Sequence, residues 1–351
     1  MQKLLIEGKK ILTGTINISG SKNASLPILA ATIFNKQTEL RNVPIVKDII
    51  TMVELLKFIG LKCVIFKKKN IIKIFNNTKK VNTIAPYNLV KTMRAGILVL
   101  GPLLAKYKKA KVSLPGGCAI GTRPVDLHLL ALKKLGAKIK IKNGYIYASA
   151  SRGLIGTKIR FPKISVGATE NAILSSSHAK GTTVLENCAV EPEVLDLVNF
   201  LRKLGTKIEI KNRKIIITSN VKDKKIKHNI IFDRIEAGTY LIAGALLGNN
   251  FKLKNLDTRM IRNEIDVLKK MGIKMNVAKK FIKIFMSKKI KKINLETKPY
   301  PGFPTDLQAQ IMILMTQAIG TSKIKENIFE NRFMHVPELK RMGAKIEIKN
   351  N

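Results

Sequence analysis

The segment that decides the fold of this chain reads Leu132-Lys133-Lys134-Leu135-Gly136-Ala137-Lys138-Ile139-Lys140-Ile141. Its first half has leucines on one helix face and lysines in the last turn, which is typical of a helix C-terminus. Gly136 stands where a left-handed residue ends a helix. Its second half alternates lysine with apolar residues, which is typical of a strand with one buried face. The segment therefore predicts a helix, a glycine turn and a strand in direct succession.

Variants of this segment occur five times along the 351 residues. The glycine recurs about every 70 residues, and such self-similarity indicates an internal repeat. The five glycines are Gly60, Gly136, Gly205, Gly272 and Gly343. Upstream of each lie another helical pattern and an alternating strand, so each unit reads strand, helix, strand, helix, strand, strand. The sequence predicts an α/β (α+β) fold built from repeated βαβαββ units.

The fifth unit is the least complete. It stops at Asn351, just after the strand pattern 345–349, whereas the other four units continue into a partner strand such as 145–148. If three units make one domain, two domains need six units. We therefore expect the partner strand and a sixth repeat to be missing from this chain.

Length and cysteine usage bound the class of protein. A chain of 351 residues suits about two domains, each with its own core. Three cysteines without paired spacing and four scattered histidines argue for a reducing cytoplasm and against a structural metal. The N-terminus has no signal-peptide apolar region, and the apolar runs fall short of the roughly 20 residues that span a membrane. We expect a cytoplasmic protein without membrane association.

The net charge of +42 points to a different class of protein. Such a charge is typical of nucleic-acid binding, and that alternative stays open. The lysines, however, are spread over turns and strand ends, with few aromatic residues for base stacking. A solvated basic surface without specific nucleic-acid binding is the favoured interpretation.

Polar residues stand at the start of each unit's first helical pattern. A helix N-terminus offers free N–H groups and a partial positive charge, and both favour phosphate or carboxylate. These residues are Lys22 and Asn23, Arg94, Ser165, Asp233 and Arg234, and Asp306. If the units pack around pseudo-symmetry axes, the helix starts point the same way and form an anion site.

The loop 113–128 has no counterpart in the other units. Its three glycines and two prolines favour a loop over a helix or a central strand. It contains Cys118 and Arg123, and a neighbouring cation favours the thiolate form of a cysteine. The pairing points to chemistry on an anionic substrate, although most free cysteines are small buried apolar residues.

The chain resembles the enolpyruvyl transferases over essentially its whole length. The segments that carry the resemblance are 18–24, 91–95, 114–128, 165–169, 233–236, 303–306 and 330–336. Leu-Pro-Gly-Gly-Cys at 114–118, together with Phe-Pro-Thr-Asp at 303–306, is typical of the members that use a nucleotide sugar. The shikimate-pathway member shares the repeat and lacks the cysteine loop.

This resemblance implies two domains, each an inside-out α/β barrel: residues 22–231, and residues 1–21 with 232–351. It implies transfer of the enolpyruvyl group of phosphoenolpyruvate to the 3-hydroxyl of UDP-N-acetylglucosamine, with release of phosphate. No metal or cofactor is implied, and we expect a monomer. Two alternatives stay open: an impaired remnant that still binds the nucleotide sugar, and a transferase acting on 3-phosphoshikimate.

The resemblance also implies roles for individual residues. Lys22 and Arg123 would clamp the phosphate of phosphoenolpyruvate. Cys118 would protonate its methylene carbon as general acid, and Asp306 would take the proton of the attacking hydroxyl. Asn23 would hydrogen-bond the reacting centre and orient it.

The nucleotide-sugar contacts that the resemblance implies lie along most of the chain. They are Arg94, Arg123, Pro124, Val125, Asp126, Leu127, Lys163, Ser165, Val166, Asp306 and Ile328. Taken singly, Asp306 could be a helix N-terminal charge and Arg94 a solvated surface residue. Their joint occurrence at matching positions of the units favours the functional interpretation.

The chain departs from the family pattern in two places. Tyr300 stands where some members have a histidine. The family's last repeat supplies two arginines that contact phosphoenolpyruvate, and this chain stops before both. Loss of two charge-assisted contacts is expected to weaken binding of the reacting state by about 10² to 10⁴.

Overall fold

The chain divides into two compact units in a computed structural model that describes residues 5, 7, 8, 10–78, 80–116 and 125–349. The large unit contains the described residues from 20 to 231. The small unit contains those up to 19 and those from 232 to 349. Three residues singled out from the sequence, Cys118, Arg123 and Pro124, lie outside the described part.

The described part of the large unit contains seven α-helices and twelve strands. The helices are α1 (Lys22–Ala31), α2 (Lys47–Ile59), α3 (Tyr87–Val90), α4 (Leu100–Tyr107), α5 (Asp126–Lys134), α6 (Val166–Ser176) and α7 (Pro192–Lys203). The strands are β2 (Gln37–Arg41), β3 (Lys62–Phe66), β4 (Ile71–Phe75), β5 (Ile84–Ala85), β6 (Lys109–Ser113), β7 (Lys138–Lys142), β8 (Tyr145–Ser149), β9 (Lys158–Arg160), β10 (Thr182–Glu186), β11 (Lys207–Lys211), β12 (Lys214–Thr218) and β13 (Lys225–Asn229).

These strands form three sheets with one common plan. The orders are β13-β2-β4-β3, β5-β6-β8-β7 and β11-β12-β10-β9. In each sheet one pair is parallel, for example Lys225 of β13 opposite Gln37 of β2, and the remaining strands are antiparallel. In two sheets the parallel pair, β5 with β6 and β9 with β10, is joined by a crossover through helices, and each of the three sheets contains an antiparallel hairpin, as the βαβαββ pattern predicts. In the remaining sheet β2 instead pairs in parallel with β13, from the far end of the unit's sequence.

The helices form the interior of the large unit. All residues of α1 from Ala24 to Ala31 are buried, and so are those of α6 from Ala168 to Ser176. A helix buried on every side is expected to be apolar or small all round, and α1 meets that expectation between Ala24 and Ala31. Helix α6 also buries two large polar residues, Glu170 and Asn171, and Asn171 donates a hydrogen bond to the Ile97 carbonyl. The sheets keep lysine-rich faces toward solvent, which accounts for the alternating lysines of the repeated segment.

The small unit contains the remaining elements. Its helices are α8 (Arg234–Leu247), α9 (Arg262–Lys270), α10 (Gln308–Thr316) and α11 (Val336–Arg341). Its strands are β1 (Leu12–Asn17), β14 (Gly248–Lys254), β15 (Met275–Ala278), β16 (Phe281–Ile284), β17 (Asn294–Glu296) and β18 (Lys323–Lys325). They form a four-stranded sheet of order β1-β14-β16-β15 and a two-stranded sheet of β17 and β18. No helix in the described ranges is long and apolar enough to cross a membrane.

The predicted glycine turns and the mixed α/β fold are confirmed. All five repeat glycines have positive φ, from 85° at Gly272 to 118° at Gly60. The strand predicted after Gly343 is wrong, because residues 345–349 form no strand. In the other four units that strand pairs with the strand that follows it, and the described residues after Gly343 include no such partner.

One predicted helix is interrupted. The first helix of the second unit was expected to begin near 89–94, but α3 ends at Val90 and a 3-10 helix runs from Arg94 to Val99 before α4. Met93 between them has an extended backbone, with φ −134° and ψ 103°, which an α-helix cannot include. Arg94 therefore begins a new short helix, which keeps it at a helix start.

Candidate active site

The start of α6 packs against α5 in the large unit. Ser165 caps α6, and its Oγ accepts a hydrogen bond from the Ala168 N–H at 3.4 Å. A Cβ on Gly167 would lie 3.2 Å from Cε1 of His128, so the glycine permits this close approach. The contact joins the start of α6, which carries Ser165 and Val166, to the first turn of α5, which carries Asp126 and Leu127.

His128 is the buried centre of this contact. Its Nδ1 lies 3.1 Å from Nδ2 of Asn171 on α6. Burial, helped by the positive charge of Arg94 and opposed by Asp126, lowers the pKa of His128 to about 4. The imidazole is therefore neutral at physiological pH, and its electrostatic link with Arg94 places that guanidinium in the same neighbourhood.

We call the polar residues around this contact the α5–α6 cluster. Its members are Arg94, Asp126, His128, Lys163, Ser165 and Val166. Lys163 is exposed just before α6, and Val166 is 38% exposed at the first position of the helix. Backbone N–H groups at a helix start, an adjacent lysine and an arginine together suit a phosphate-bearing ligand.

A groove lies along α5 beside the ends of the undescribed loop. It has a volume of about 830 Å³ and is mostly apolar. Leu114 and Pro115 line it before the loop, and Val125 and Asp126 line it after the loop. The two predicted contacts Val125 and Asp126 thus border an open groove beside α5.

The start of α1 carries two further predicted site residues, Lys22 and Asn23. Ser21 caps the helix by accepting from the Ala24 N–H at 3.2 Å. The Lys22 ammonium lies 3.1 Å from Oδ2 of Asp48, and both side chains are about one-third to two-fifths exposed. Asn23 is exposed. A partly exposed ion pair of this kind is weak enough for an anionic ligand to compete with Asp48.

Asp306 lies in the small unit, in a 3-10 turn (Thr305–Leu307) that leads into α10. Its Oδ1 accepts a hydrogen bond from Nη2 of Arg332 at 2.6 Å, and Arg332 also donates to the Thr305 carbonyl at 3.2 Å and 3.3 Å. The Arg332 side chain is 17% exposed and that of Asp306 is 46% exposed. The guanidinium thus fixes the carboxylate while leaving it accessible.

Glu326 joins the Asp306 turn to the loop that carries Ile328. One carboxylate oxygen accepts from the Thr305 hydroxyl at 2.9 Å. The other accepts from the Thr297 hydroxyl at 2.9 Å and from the Ile328 N–H at 2.8 Å. The structure therefore brings the predicted pair Asp306 and Ile328 into one hydrogen-bonded cluster, which we call the Glu326 cluster.

Sequence reasoning missed three residues of these two clusters: His128, Arg332 and Glu326. His128 and Arg332 stand inside motifs used for the family resemblance, but their partners lie 43 and 26 residues away along the chain. Glu326 follows β18 with no pattern of its own. No sequence signal identifies it, because its burial and its partners Thr297 and Thr305 are set by the fold.

The two described cysteines have inert surroundings. Burial raises the pKa of both Cys63 and Cys188 to about 12. Neither is a candidate nucleophile. Within the described ranges, no three or more His, Cys, Asp or Glu side chains are grouped so that they could hold a metal ion.

Comparison with known proteins gives three kinds of match. Residues 6–351 match the family model described as EPSP synthase (3-phosphoshikimate 1-carboxyvinyltransferase). The UDP-N-acetylglucosamine 1-carboxyvinyltransferase of Pelagibacter ubique (strain HTCC1062) is 59% identical over 353 residues, covering 100% of this chain and 84% of the relative. The enzyme of that name from Rickettsia bellii (strain OSU 85-389) is 50% identical with the same coverage.

Solved structures match the fold at lower identity. The enolpyruvyl transferase NikO from Streptomyces tendae has a TM-score of 0.85 at 21% identity, covering 95% of this chain and 80% of that chain. EPSP synthase from Acinetobacter baumannii has a TM-score of 0.67 at 16% identity, covering 90% and 74%. At these identities the likeness concerns the fold alone.

Proposed function

Because this chain belongs to the EPSP synthase family of enolpyruvyl transferases, we propose that it transfers the enolpyruvyl group of phosphoenolpyruvate to the 3-hydroxyl of UDP-N-acetylglucosamine. The reaction releases phosphate and is the first committed step of peptidoglycan synthesis. The choice of acceptor rests on one observation: the relatives named for UDP-N-acetylglucosamine are 50% and 59% identical over the whole chain.

In the proposed reaction a proton adds to the methylene carbon of phosphoenolpyruvate, and the acceptor oxygen bonds to the adjacent carbon. Asp306 takes the hydroxyl proton. Loss of phosphate and of a methyl proton then restores the double bond. The Arg332 contact at Oδ1 supports this role, because it orients the carboxylate and leaves the accessible Oδ2 for the proton.

The α5–α6 cluster is proposed to bind the nucleotide sugar. The Val166 and Gly167 N–H groups at the start of α6 suit a diphosphate, with Lys163 and Arg94 supplying positive charge. The neutral imidazole of His128 fixes α5 against α6, and so holds Asp126 and Leu127 beside Ser165. Arg123 and Pro124 complete this set in the proposal and lie outside the described residues.

Phosphoenolpyruvate is proposed to bind at Lys22 and Asn23, with Arg123 as a second cation on its phosphate. The phosphate would replace Asp48 at the Lys22 ammonium, an exchange favoured by its higher charge. Cys118 is proposed as the general acid. We also propose that residues 22–231 form one domain, that residues 1–21 with 232–351 form the other, and that the protein acts as a cytoplasmic monomer without cofactor.

Phosphate release from phosphoenolpyruvate tests the proposal, with UDP-N-acetylglucosamine and 3-phosphoshikimate as rival acceptors. We expect turnover with the nucleotide sugar only, and Cys118→Ser to lower kcat by about 10² to 10⁴. Cys63→Ala is the matched control, because Cys63 is buried and inert, and it is expected to keep the parent's rate per folded molecule.

Three results would count against this proposal. Turnover with 3-phosphoshikimate would assign the chain to the acceptor named in the family description. Binding of UDP-N-acetylglucosamine without turnover would indicate an impaired remnant. An unchanged rate in Cys118→Ser would remove the thiol from the mechanism.

A further inference from the structure

The carboxylate of Glu326 is buried and accepts hydrogen bonds from two segments of the small unit. It is 8% exposed and accepts from Thr297, Thr305, and the N–H groups of Ile328 and Phe329, at 2.8 to 3.2 Å. Four donors use nearly the full acceptor capacity of a carboxylate. Such saturation fixes the position of the carboxylate and of everything that donates to it.

Its two oxygens serve two different segments. Oε2 accepts from Thr305, which immediately precedes Asp306. Oε1 accepts from the N–H groups of Ile328 and Phe329, which lie in the loop after β18. One carboxylate therefore sets the distance between the proposed base and a proposed acceptor contact.

Arg332 holds the same Thr305–Leu307 turn through a second set of hydrogen bonds. It donates to the carbonyl of Thr305 and to the carboxylate of Asp306. Thr305 is thus held through its hydroxyl by Glu326 and through its carbonyl by Arg332. The orientation of Asp306 depends on both, because the 3-10 turn that carries it spans only Thr305–Leu307.

We infer that Glu326 is a positioning residue for the transfer reaction: it acts through Thr305 to orient Asp306 and through the Ile328 backbone to shape the acceptor site. The inference rests on the proposed function of the same site. The inference gives Glu326 no proton exchange with substrate, because its side chain is buried and its oxygens already accept from four protein donors.

The test compares Glu326→Gln with Glu330→Gln in steady-state kinetics. Glu330 is an exposed glutamate in the same loop, so its replacement removes the same charge without the hydrogen bonds. We expect Glu326→Gln to lower kcat by about 10- to 100-fold, the cost of a misplaced reacting group. We expect the KM for the acceptor to rise by about tenfold, and the KM for phosphoenolpyruvate to stay within about twofold.

A second variant separates positioning from folding. Loss of folded protein lowers the apparent kcat and leaves both KM values unchanged, so the rise in acceptor KM is specific to positioning. Thr305→Val removes the hydroxyl through which Glu326 acts. The double variant Thr305→Val with Glu326→Gln is therefore expected to have about the same kcat as the less active of the two single variants. Independent effects would instead multiply the two losses in kcat.

Two outcomes overturn the inference. One is a Glu326→Gln variant whose kcat and acceptor KM match those of Glu330→Gln. The other is a fall in kcat with unchanged KM values and multiplicative effects in the double variant. If the parent itself transfers no enolpyruvyl group, the proposed function fails. Hydrogen exchange at the Ile328 and Phe329 amides then tests separately whether Glu326 holds this backbone in place. Unchanged exchange in Glu326→Gln refutes the inference.

Discussion

At the residue scale, the surroundings of two histidines, His128 buried and His178 half-buried, keep them neutral. Burial lowers the pKa of both His128 and His178 to about 4, assisted by Arg94 in the first case and by Lys106 in the second. His178 also stacks on Phe34, with ring centroids 4.0 Å apart. Protonation of either ring would place an unpartnered charge in a packed interior, so both histidines couple folding to pH.

The sign of this coupling follows from the lowered pKa values. In the unfolded chain both histidines titrate near pH 6.5, whereas in the folded protein they titrate near 4. Between these values the unfolded chain binds more protons, so stability is complete above about pH 6.5 and is lost as the pH falls toward 4. Each histidine contributes a slope of up to about 1.4 kcal/mol per pH unit.

His178→Phe tests this expectation, because phenylalanine keeps the ring beside Phe34 and cannot titrate. Urea unfolding at pH 7, 5.5 and 4.5 should show a shallower acid loss of unfolding free energy in the variant than in the parent. At pH 7 the two should differ little, because His178 Nδ1 has no hydrogen-bond partner to lose among the residues that the structure describes. Identical slopes below pH 6.5 would contradict the folded pKa of about 4.

Single residues also show which features can be predicted from the sequence alone. The repeat glycines were predicted as left-handed because a helix followed by a strand requires it locally, and their φ angles agree. Glu326 and Arg332 were missed because their partners are hydroxyl, carbonyl and carboxylate groups that the fold supplies from 21 to 29 residues away. Local patterns predict backbone conformation well and cannot predict such side-chain clusters.

At the element scale, helix starts carry the proposed substrate contacts. The caps Ser21 of α1 and Ser165 of α6 both use a hydroxyl to accept the N–H of the third helical residue. In α6 this leaves the N–H groups of Val166 and Gly167 for the proposed diphosphate. The sequence predicted these helix starts from the apolar helical patterns that follow them, whereas the serine caps emerge from the structure.

Comparing Ser165→Ala with Ser21→Ala tests whether the start of α6, and not that of α1, binds the nucleotide sugar. We expect Ser165→Ala to lose about 0.5 to 1 kcal/mol in unfolding free energy. Calorimetric titration with UDP-N-acetylglucosamine should also show a Kd raised by about threefold to tenfold. Ser21→Ala removes the equivalent cap of α1 and should destabilise the protein without raising that Kd. An equal effect of both variants on Kd would argue against a diphosphate at α6.

Elements that depend on a partner strand were predicted less well. Residues 345–349 have the same alternating pattern as β7 and β11, yet they form no strand. Hydrogen bonding to a neighbour, and not the pattern, stabilises a strand. The pattern therefore indicates which residues can form a strand and not whether one forms.

At the scale of the whole molecule, the charge of +42 includes many lysines on the exposed faces of sheets. The sheet β5-β6-β8-β7 illustrates this arrangement. Its lysines Lys109, Lys138, Lys140 and Lys142 are exposed. Lys111 lies over Tyr145 and Tyr147, with its ammonium 4.7 Å and 5.2 Å from the ring centroids. Tyrosine rings already covered by lysine are poor platforms for base stacking.

Such a surface should bind nucleic acid only through phosphate charge. We expect unrelated DNA duplexes to bind at 50 mM salt and to lose about 10³-fold or more in affinity at 200 mM. Fluorescence anisotropy with duplexes of different sequence measures this. Affinity that persists at physiological salt and differs among sequences would favour a nucleic-acid function instead.

The pairing of early strands with strands far along the chain has a consequence for synthesis on the ribosome. β1 leaves the ribosome early, but its partner β14 begins at Gly248, and β2 likewise waits for β13 at Lys225. At bacterial elongation rates of about 5 to 20 residues per second, β1 remains unpaired for about 10 to 50 s. Throughout that interval the nascent chain exposes open strand edges, which are templates for aggregation. The N-terminal segment should therefore be a preferred site for chaperone capture, and a fusion partner placed there would delay completion of the first sheet of the small unit.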